Sequence, residues 1–316
     1  MTYRGGVLPR VFVRLVACGA VAALGLAAVK LAAAGPTAAR PALPAALNGI
    51  APALPGGAGW QQATYRVGGV SPVLLATLTS NGSTAYAAWI DHTRTTLALY
   101  PGTSEPPFAS PRGLGEVPFG QRWRLLATFN GGFKQATGAG GFLVNGIVDE
   151  PLLHGFGTLV EYRNGGLAIL DWQGRTRPGA LVLARQNLPP LVWAGRPAVR
   201  VFDPALWGTT LGGGSAVWRT AVGITLRGDL IYAAADGQTP GSLARLMVSL
   251  GADRAIELDI NPEWPSFIAY GRRGGQDPNK FVPNLQESAY RYLSPDSRDF
   301  FAVYTRSGGG HRVPFR

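Results

Sequence analysis

The sequence has almost no cysteine and little histidine. Its one cysteine, Cys18, lies near the N-terminus, so the rest of the chain offers no disulfide, thiol nucleophile or cysteine-based metal site. The three histidines, His92, His154 and His311, show neither HxH nor HExxH spacing, which argues against a histidine-built zinc site. A Gly-x-Ser-x-Gly elbow and a Gly-Lys-Ser/Thr phosphate loop are also missing, so serine-hydrolase and P-loop chemistry have no support.

Lysine is scarce as well, although the formal net charge is +11. The only lysines are Lys30, Lys134 and Lys280, and arginine supplies most of the positive charge. Because the guanidinium group pairs bidentately with phosphate and carboxylate, this composition favours partners that carry those groups. No basic stripe is interleaved with aromatic residues, so nucleic acid is not a predicted partner.

The first 34 residues have the pattern of an export signal. Arginines, an uncharged run over residues 15–29 and the small residues 32–34 follow one another in the order typical of a secretory signal. The run is shorter than the roughly 20 apolar residues of a membrane span. Arg14 and Lys30 could nevertheless snorkel and let residues 11–34 cross. A cleaved signal peptide and a signal anchor both stay open, and either predicts a domain outside the cytoplasm, secreted or held at the cell membrane.

Composition divides the remainder into a linker and one domain. Residues 35–59 are rich in proline, alanine and glycine and contain no acidic residue, which predicts a spacer. Residues 60–316 predict a single α+β domain with a mixed, largely antiparallel β-sheet and few helices. Alternating or β-branched runs predict strands at 64–70, 85–90, 95–100, 125–129 and 141–148, and turn residues predict hairpins at 158–172 and 220–235.

The sequence clearly predicts one helix and the strand after it. Thr239 is a suitable N-cap, Pro240 fits the first helical position and Gly251 ends the helix. In the following strand, 255–260, alternation places Glu257, Asp259 and Asn261 on one face. Two carboxylates and an amide together are costly unless they line a cleft or bind a ligand. The alternative is a solvent-facing side of the sheet, on which Glu257 is merely solvated.

Other polar residues end or begin apolar strands. Asp236 ends the strand before the helix, and it is expected near Asp259 because the strands flanking the helix should run parallel. The strand 125–129 leads into Asn130-Gly131-Gly132-Phe133-Lys134, where glycines let the backbone approach a ligand and Asn130 and Lys134 offer donors. An ordinary Asn-Gly turn is the alternative interpretation of that segment.

Taken in order, these motifs resemble the phosphodiester glycosidase domain family, the family of the mannose 6-phosphate uncovering enzyme. The resemblance covers about residues 125–270. Its motifs are Asn130-Gly131-Gly132-Phe133, Gly141-Phe-Leu-Val-Asn-Gly146, Arg219-Thr-Ala-Val-Gly-Ile-Thr225 with Asp236-Gly237, and Leu258-Asp259 after the helix. Two features depart from the family pattern. Lys134 stands where a second aromatic residue is usual, and Asp259-Ile-Asn-Pro-Glu-Trp264 replaces a glycine-rich turn.

The resemblance implies hydrolysis of a sugar–phosphate diester at the glycosidic carbon, in a cell-envelope glycan or glycoconjugate. Since a phosphomonoester is a good leaving group, the reaction chiefly needs cations on the phosphate and a carboxylate near the anomeric carbon. On this interpretation Arg219 and Lys134 hold the phosphate, and Asp259 or Asp236 is the nucleophile or base. A divalent cation could lie between Asp236 and Asp259, and no other cofactor is predicted.

The remaining candidates concern substrate binding. Asn130 and Asn261 would orient hydroxyls, and Trp264 would stack on a sugar face. The full set of predicted substrate-binding residues is Asn130, Gly131, Gly132, Lys134, Thr220, Asn261, Glu263 and Trp264. The predicted partners are a phosphate-bearing glycan and, through the N-terminal segment, a membrane. The rival hypothesis is a non-catalytic module that binds anionic cell-wall polymer, which the replaced turn after Asp259 favours.

Overall fold

The structure is a computed structural model that describes residues 49–107, 113–203, 206–207, 214–283 and 287–306. The predicted export segment, most of the predicted linker and His311 lie outside the described residues. Among the helices that are described, none is long and apolar enough to cross a membrane.

Three β-sheets build the described part of the chain, and every pair of neighbouring strands within them is antiparallel. The large sheet has the order β1 (Gln61–Gln62), β2 (Val73–Ser80), β3 (Ser83–Ile90), β14 (Leu230–Gln238), β13 (Val217–Ile224), β15 (Arg254–Glu257), β11 (Val192–Trp193) and β12 (Arg196–Pro197). The second sheet has the order β7 (Ile147–Glu150), β6 (Phe142–Val144), β10 (Leu181–Gln186), β8 (Gly157–Tyr162) and β9 (Leu167–Asp171). The third sheet has the order β17 (Gln276–Lys280), β16 (Phe267–Arg272), β5 (Leu125–Asn130), β18 (Phe300–Thr305) and β4 (Thr95–Tyr100).

Helical structure is sparse. The described α-helix is α1 (Pro240–Ser249), and short 3₁₀ turns occur at Pro55–Gly57, Phe119–Arg124, Gln135–Thr137, Pro178–Ala180 and Val199–Phe202. A mostly antiparallel β-protein with few helices agrees with the predicted α+β class.

The helix begins and ends as its sequence predicts. The Thr239 hydroxyl accepts from Ser242 N at 3.1 Å, and the Ser242 hydroxyl accepts from Thr239 N at 2.9 Å, which completes a reciprocal capping box. Gly251 has φ +90°, the left-handed conformation that glycine adopts at little cost after a helix. The helix α1 connects β14 to β15. These two strands run parallel to each other because each of them pairs antiparallel with β13.

Both faces of the large sheet are buried, which explains the continuous apolar runs in its central strands. In β14, Ile231, Ala233 and Ala235 pack with α1, whereas Tyr232 and Ala234 pack in a second core toward the other two sheets. Strands buried on two faces read as unbroken apolar runs instead of alternating ones.

One predicted strand near the start of the domain is wrong. Residues 64–70, predicted as a strand, contain only an isolated bridge between Val67 and Val70, and the strand that pairs with β3 is β2. A turn at Asn81-Gly82 joins β2 to β3, and both residues have positive φ. Gly68-Gly69 interrupt the predicted run and Pro72 follows it, whereas residues Val73–Ser80 are long enough to pair with all of β3.

The capping box gives a stability prediction. Replacing Thr239 with alanine removes the side-chain acceptor for Ser242 N, and we expect the free energy of unfolding to fall by about 1 kcal/mol. Urea denaturation monitored by circular dichroism measures this. The matched variant Thr239→Ser keeps the hydroxyl and should retain most of the stability; an equal loss in both variants would contradict the capping role.

Candidate active site

The Asn130 side chain lies at the point where the large and third sheets meet. Its Oδ1 accepts from the Tyr232 hydroxyl at 2.9 Å and from Ser266 N at 3.1 Å. Its Nδ2 donates to Thr220 Oγ1 and to Gly131 O, each at 3.0 Å. A carboxamide has two donor hydrogens and an oxygen with two lone pairs, so all its capacity is used within the protein. Binding a substrate hydroxyl through Asn130 requires one of these bonds to be given up.

Thr220 connects Asn130 to the segment after β15. The Thr220 hydroxyl accepts from Asn130 and donates to Asp259 O at 2.8 Å, and Leu258 N donates to Thr220 O at 2.7 Å. Asp259 N in turn donates to Gly131 O at 3.2 Å. The structure thus brings together Asn130, Gly131, Thr220 and Asp259, which come from three separate motifs of the sequence.

The Asp259 carboxylate is held in a buried ion pair. Arg298 Nη2 donates to Asp259 Oδ2 at 2.7 Å and also to Gly132 O at 2.8 Å, and Asn261 N donates to Asp259 Oδ1 at 3.0 Å. Only 5% of Asp259 and 5% of Arg298 is exposed. Burial raises the pKa of Asp259, and the Arg298 charge opposes that rise.

Gly131 and Gly132 are required because other side chains press against their backbone. A β-carbon at Gly131 would collide with the Asp299 carboxylate, and one at Gly132 would lie 2.9 Å from Arg185 Nη2. Arg185 Nε donates to Asp299 Oδ2 at 2.8 Å, so this second buried ion pair occupies the space beside the glycines. The glycines therefore allow close approach to the backbone, and the group that approaches is the protein's own ion pair, where a ligand was predicted.

Arg219 forms its own ion pair on the opposite face of the large sheet from Thr220. Arg219 Nη1 donates to Glu257 Oε1 at 2.5 Å, and the guanidinium also donates to the carbonyls of Gln238, Trp207 and Ser215 at 2.9 to 3.1 Å. Arg219 is 1% exposed and Glu257 is fully buried. The interpretation of Glu257 as a solvated residue is therefore wrong, because the strand is covered on both faces.

The Glu257 carboxyl has a strongly altered affinity for protons. Burial and, to a smaller extent, the nearby Asp259 raise its pKa to about 7, against the lowering effect of Arg219. Its second oxygen, Oε2, is buried and has no hydrogen-bond partner in the described part of the chain. A carboxyl that is partly protonated near neutral pH is suited to proton exchange.

Several predicted residues lie outside these buried clusters. Asp236 is exposed, and its Oδ1 accepts from Gly237 N at 2.7 Å, within its own turn. Lys134 is also exposed. Asn261 and Glu263 lie on an exposed turn, where Glu263 N donates to Asn261 Oδ1 at 3.1 Å.

Trp264 follows that turn and is half-buried. The guanidinium carbons of Arg291 and Arg298 lie 5.2 and 5.4 Å from the centre of its ring. These distances are typical of cation–π contacts, so arginine groups occupy the space near the ring in which a sugar was predicted to stack.

Sequence reasoning missed Arg185, Asn187, Arg298 and Asp299. Asn187 accepts from Phe133 N at 3.0 Å and donates to Glu257 O at 2.8 Å, so it joins the Asn-Gly-Gly-Phe turn to β15. All four are polar residues at the ends of apolar strands, the same signal that identified Asn130. Their pairing across more than 100 residues of sequence, as between Arg185 and Asp299, is not encoded in any local pattern.

The described residues do not place a metal-binding group at Asp236 and Asp259. A set of three metal-ligating side chains with atoms within 4.8 Å of one another occurs at Asp91, His92 and Asp229, at the opposite end of β14. The two described cavities, of about 700 and 300 Å³, are likewise lined by residues other than the predicted site residues.

The fold and this cluster define a β-rich protein that gathers carboxylate, amide and guanidinium groups where its sheets meet. Residues 124–259, less than half of the chain, match the model of the phosphodiester glycosidase family. This match confirms the resemblance that the motifs of this segment indicated.

Two solved structures are similar to this chain. The catalytic domain of zebrafish N-acetylglucosamine-1-phosphodiester alpha-N-acetylglucosaminidase, auto-inhibited by its pro-peptide, is 16% identical with a TM-score of 0.49, over 79% of this chain and 88% of that chain. A protein from Synechocystis is 12% identical with a TM-score of 0.45, over 76% of this chain and 63% of that chain. The comparison with curated proteins found no match.

The raised pKa of Glu257 predicts a pH dependence of stability. The ordinary pKa is 4.5 and the folded value is about 7, so between these pH values the folded state binds more protons than the unfolded state. The free energy of unfolding should therefore fall as pH rises from about 4.5 to about 7 and level off above that range.

The glutamine of Glu257→Gln does not titrate, so the variant should lack this fall in the free energy of unfolding. Any stability advantage of wild type over the variant should therefore shrink or reverse as pH rises across the same range. Urea denaturation at pH 5, 6, 7 and 8 measures it, with the exposed Glu263→Gln as control. Parallel profiles for wild type and Glu257→Gln would show that the Glu257 carboxyl titrates normally.

Proposed function

We propose that this chain is a hydrolase that cleaves glycosyl phosphodiesters in a cell-envelope glycan or glycoconjugate. The observation that carries the proposal is the hydrogen-bonded cluster of Asn130, Gly131, Thr220 and Asp259. These residues come from distant motifs within the segment that matches the family, and the fold joins them directly. The buried Asp259–Arg298 pair beside them supplies charged groups where the reaction needs them.

The reaction breaks the bond between the anomeric carbon and the phosphate oxygen. Water supplies the hydroxyl that ends on the sugar carbon, and the phosphomonoester leaves with the bonding electron pair. Asp259 acts at the anomeric carbon, as nucleophile or as the base that removes the water proton. Arg298, 2.7 Å from Asp259, holds the carboxylate in position and places positive charge beside the departing phosphate.

The structure shifts the proposed roles of two residues. Arg219, which was expected to hold the phosphate, is committed to Glu257 and to three backbone carbonyls. We assign Arg219 instead the role of positioning Glu257. The pKa of Glu257, about 7, supports proton exchange by this carboxyl close to Asp259. Lys134 is exposed and stays a candidate for contact with the outer part of the substrate.

We also propose that the protein works outside the cytoplasm, secreted or held at the cell membrane. The support is the sequence of residues 1–34, with its basic start, uncharged run and small-residue end. A phosphate-bearing envelope glycan would be accessible to an enzyme in that location.

A second candidate function is a non-catalytic module that binds anionic wall polymer. One surface favours it: Phe119 is 86% exposed and Trp123 is 63% exposed. The guanidinium carbon of Arg273 lies 5.0 Å from the centre of the Trp123 ring, and that of Arg122 lies 5.9 Å from the centre of the Phe119 ring. Exposed aromatic rings with arginines suit a polymer that presents both sugar faces and negative charge.

Substitution of the proposed catalytic carboxylate tests the enzyme hypothesis. In Asp259→Asn the side chain keeps its size and loses its charge, and we expect kcat for a chromogenic glycosyl phosphodiester to fall by roughly 100-fold or more. The exposed Asp171→Asn is the control and should keep wild-type kcat. Full activity in a folded Asp259→Asn protein would overturn the assignment.

The two candidate functions are separated by measuring turnover and polymer binding on the same variants. If the module hypothesis is correct, wild type binds isolated wall polymer without turnover, and Trp123→Ala reduces that binding. If the enzyme hypothesis is correct, turnover is present, and it depends on Asp259 and not on Trp123.

A further inference from the structure

Two buried arginines meet at Trp264, next to Asp259. Arg291 and Arg298 are 4% and 5% exposed, and their guanidinium carbons lie 5.2 and 5.4 Å from the centre of the Trp264 ring. Neither arginine belongs to the segment that matches the family, and Trp264 lies in the turn that departs from the family pattern.

Three N–H donors in this cluster have no acceptor among the described residues. They are Arg291 Nη1, Arg298 Nε and Trp264 Nε1, and each of these atoms is buried. Buried polar groups in folded proteins nearly always have a partner, and several unpaired donors around one ring indicate a missing acceptor. A phosphodiester group has the geometry for this role, because its oxygens can accept from several donors at once.

The exposed turn over the cluster gives an acceptor a route to these donors. Asn261 and Glu263 are exposed, and the turn is closed by a bond from Trp264 N to Asn261 O at 2.9 Å. An acceptor would reach these buried donors by displacement of Trp264 together with this turn.

The cluster has no excess of positive charge. Its cations are Lys280, Arg291 and Arg298, and its carboxylates are Asp259, Asp296 and Glu287, with Glu263 in the exposed turn beside Trp264. Arg298 pairs with Asp259 at 2.7 Å and Arg291 with Asp296 at 2.6 Å. With no excess positive charge, the cluster should accept one negative charge more readily than two. A phosphodiester carries one negative charge, whereas the phosphomonoester product carries close to two at neutral pH.

We propose that Arg291, Arg298 and Trp264 form the site that binds the phosphodiester group of the substrate. The identity of that substrate rests on the proposed function, whereas the anion site itself does not depend on turnover. The site takes the role first predicted for Arg219 and Lys134. The site also favours release of the phosphomonoester product, because the neighbouring carboxylates repel the second negative charge of that product.

Nuclear magnetic resonance of the tryptophan indole N–H groups tests the site without requiring activity. The ¹⁵N-labelled full chain, which has eight tryptophans, is titrated with dimethyl phosphate and separately with methyl phosphate. Trp264→Phe identifies the Trp264 signal by its disappearance. The matched control is Trp193→Phe, because Trp193 also has an arginine, Arg254, 4.3 Å from its ring centre and lies outside the site.

We expect the Trp264 signal to shift with dimethyl phosphate, and to shift less with methyl phosphate at the same concentration. Arg291→Lys keeps the charge but lacks Nη1, and it should weaken binding about tenfold, the effect of one charge-assisted hydrogen bond. A Trp264 signal that does not respond to dimethyl phosphate, or an Arg291→Lys protein that binds as wild type does, would overturn the proposal.

Kinetics distinguish this proposal from the proposed function. If wild type hydrolyses a glycosyl phosphodiester and Trp264→Phe changes neither KM nor kcat, the hydrolase proposal holds and the binding site is refuted. If the Trp264 signal shifts as expected and no phosphodiester is cleaved, the site holds and the hydrolase proposal fails. When both are correct, Trp264→Phe and Arg291→Lys raise KM with less effect on kcat, and Trp193→Phe changes neither.

Discussion

The Asn130 carboxamide connects the parts of this protein that the candidate site requires. Its two N–H groups and its oxygen bond to Thr220 and Tyr232 of the large sheet and to Gly131 and Ser266, which adjoin β5 and β16 of the third sheet. Since the group is buried and fully bonded, any displacement leaves polar atoms unpaired. Asn130 bonds to Thr220 and Gly131, and both of these residues bond to the backbone of Asp259. The Asn130 side chain therefore helps to fix the position of Asp259.

Buried charge is the second constraint. The pairs Arg298–Asp259, Arg185–Asp299 and Arg219–Glu257 all lie in the interior. Buried ion pairs contribute little net stability compared with apolar packing, although removing one partner is costly. Burial of these groups raises the pKa values of Glu257 and Asp259, so each carboxyl holds its proton more strongly than it would in water.

Local signals in the sequence were sufficient for the helix, both hairpins and the polar strand ends. Capping at Thr239 and turn residues act over a few positions, so they can be recognised without a structure. Two partners could not be recognised from the sequence: Arg298, which bonds the Asp259 carboxylate, and Asn187, which donates to the Glu257 carbonyl. The pairing of distant strands brings both of them into place. Whether Glu257 is buried or solvated could not be predicted for a related reason. Alternation shows on which side of the strand a residue lies, but its burial depends on what covers that side.

The place of β18 in the third sheet has a consequence for how the molecule forms. This strand, Phe300–Thr305, lies between β4 and β5, although it comes about 200 residues after β4 in the chain. Arg298 lies two residues before this strand, so the partner of Asp259 is positioned together with the last described strand. Until that strand pairs with β4 and β5, the buried Asp259 carboxylate lacks its arginine, and the cluster is complete only once these distant parts of the chain have paired.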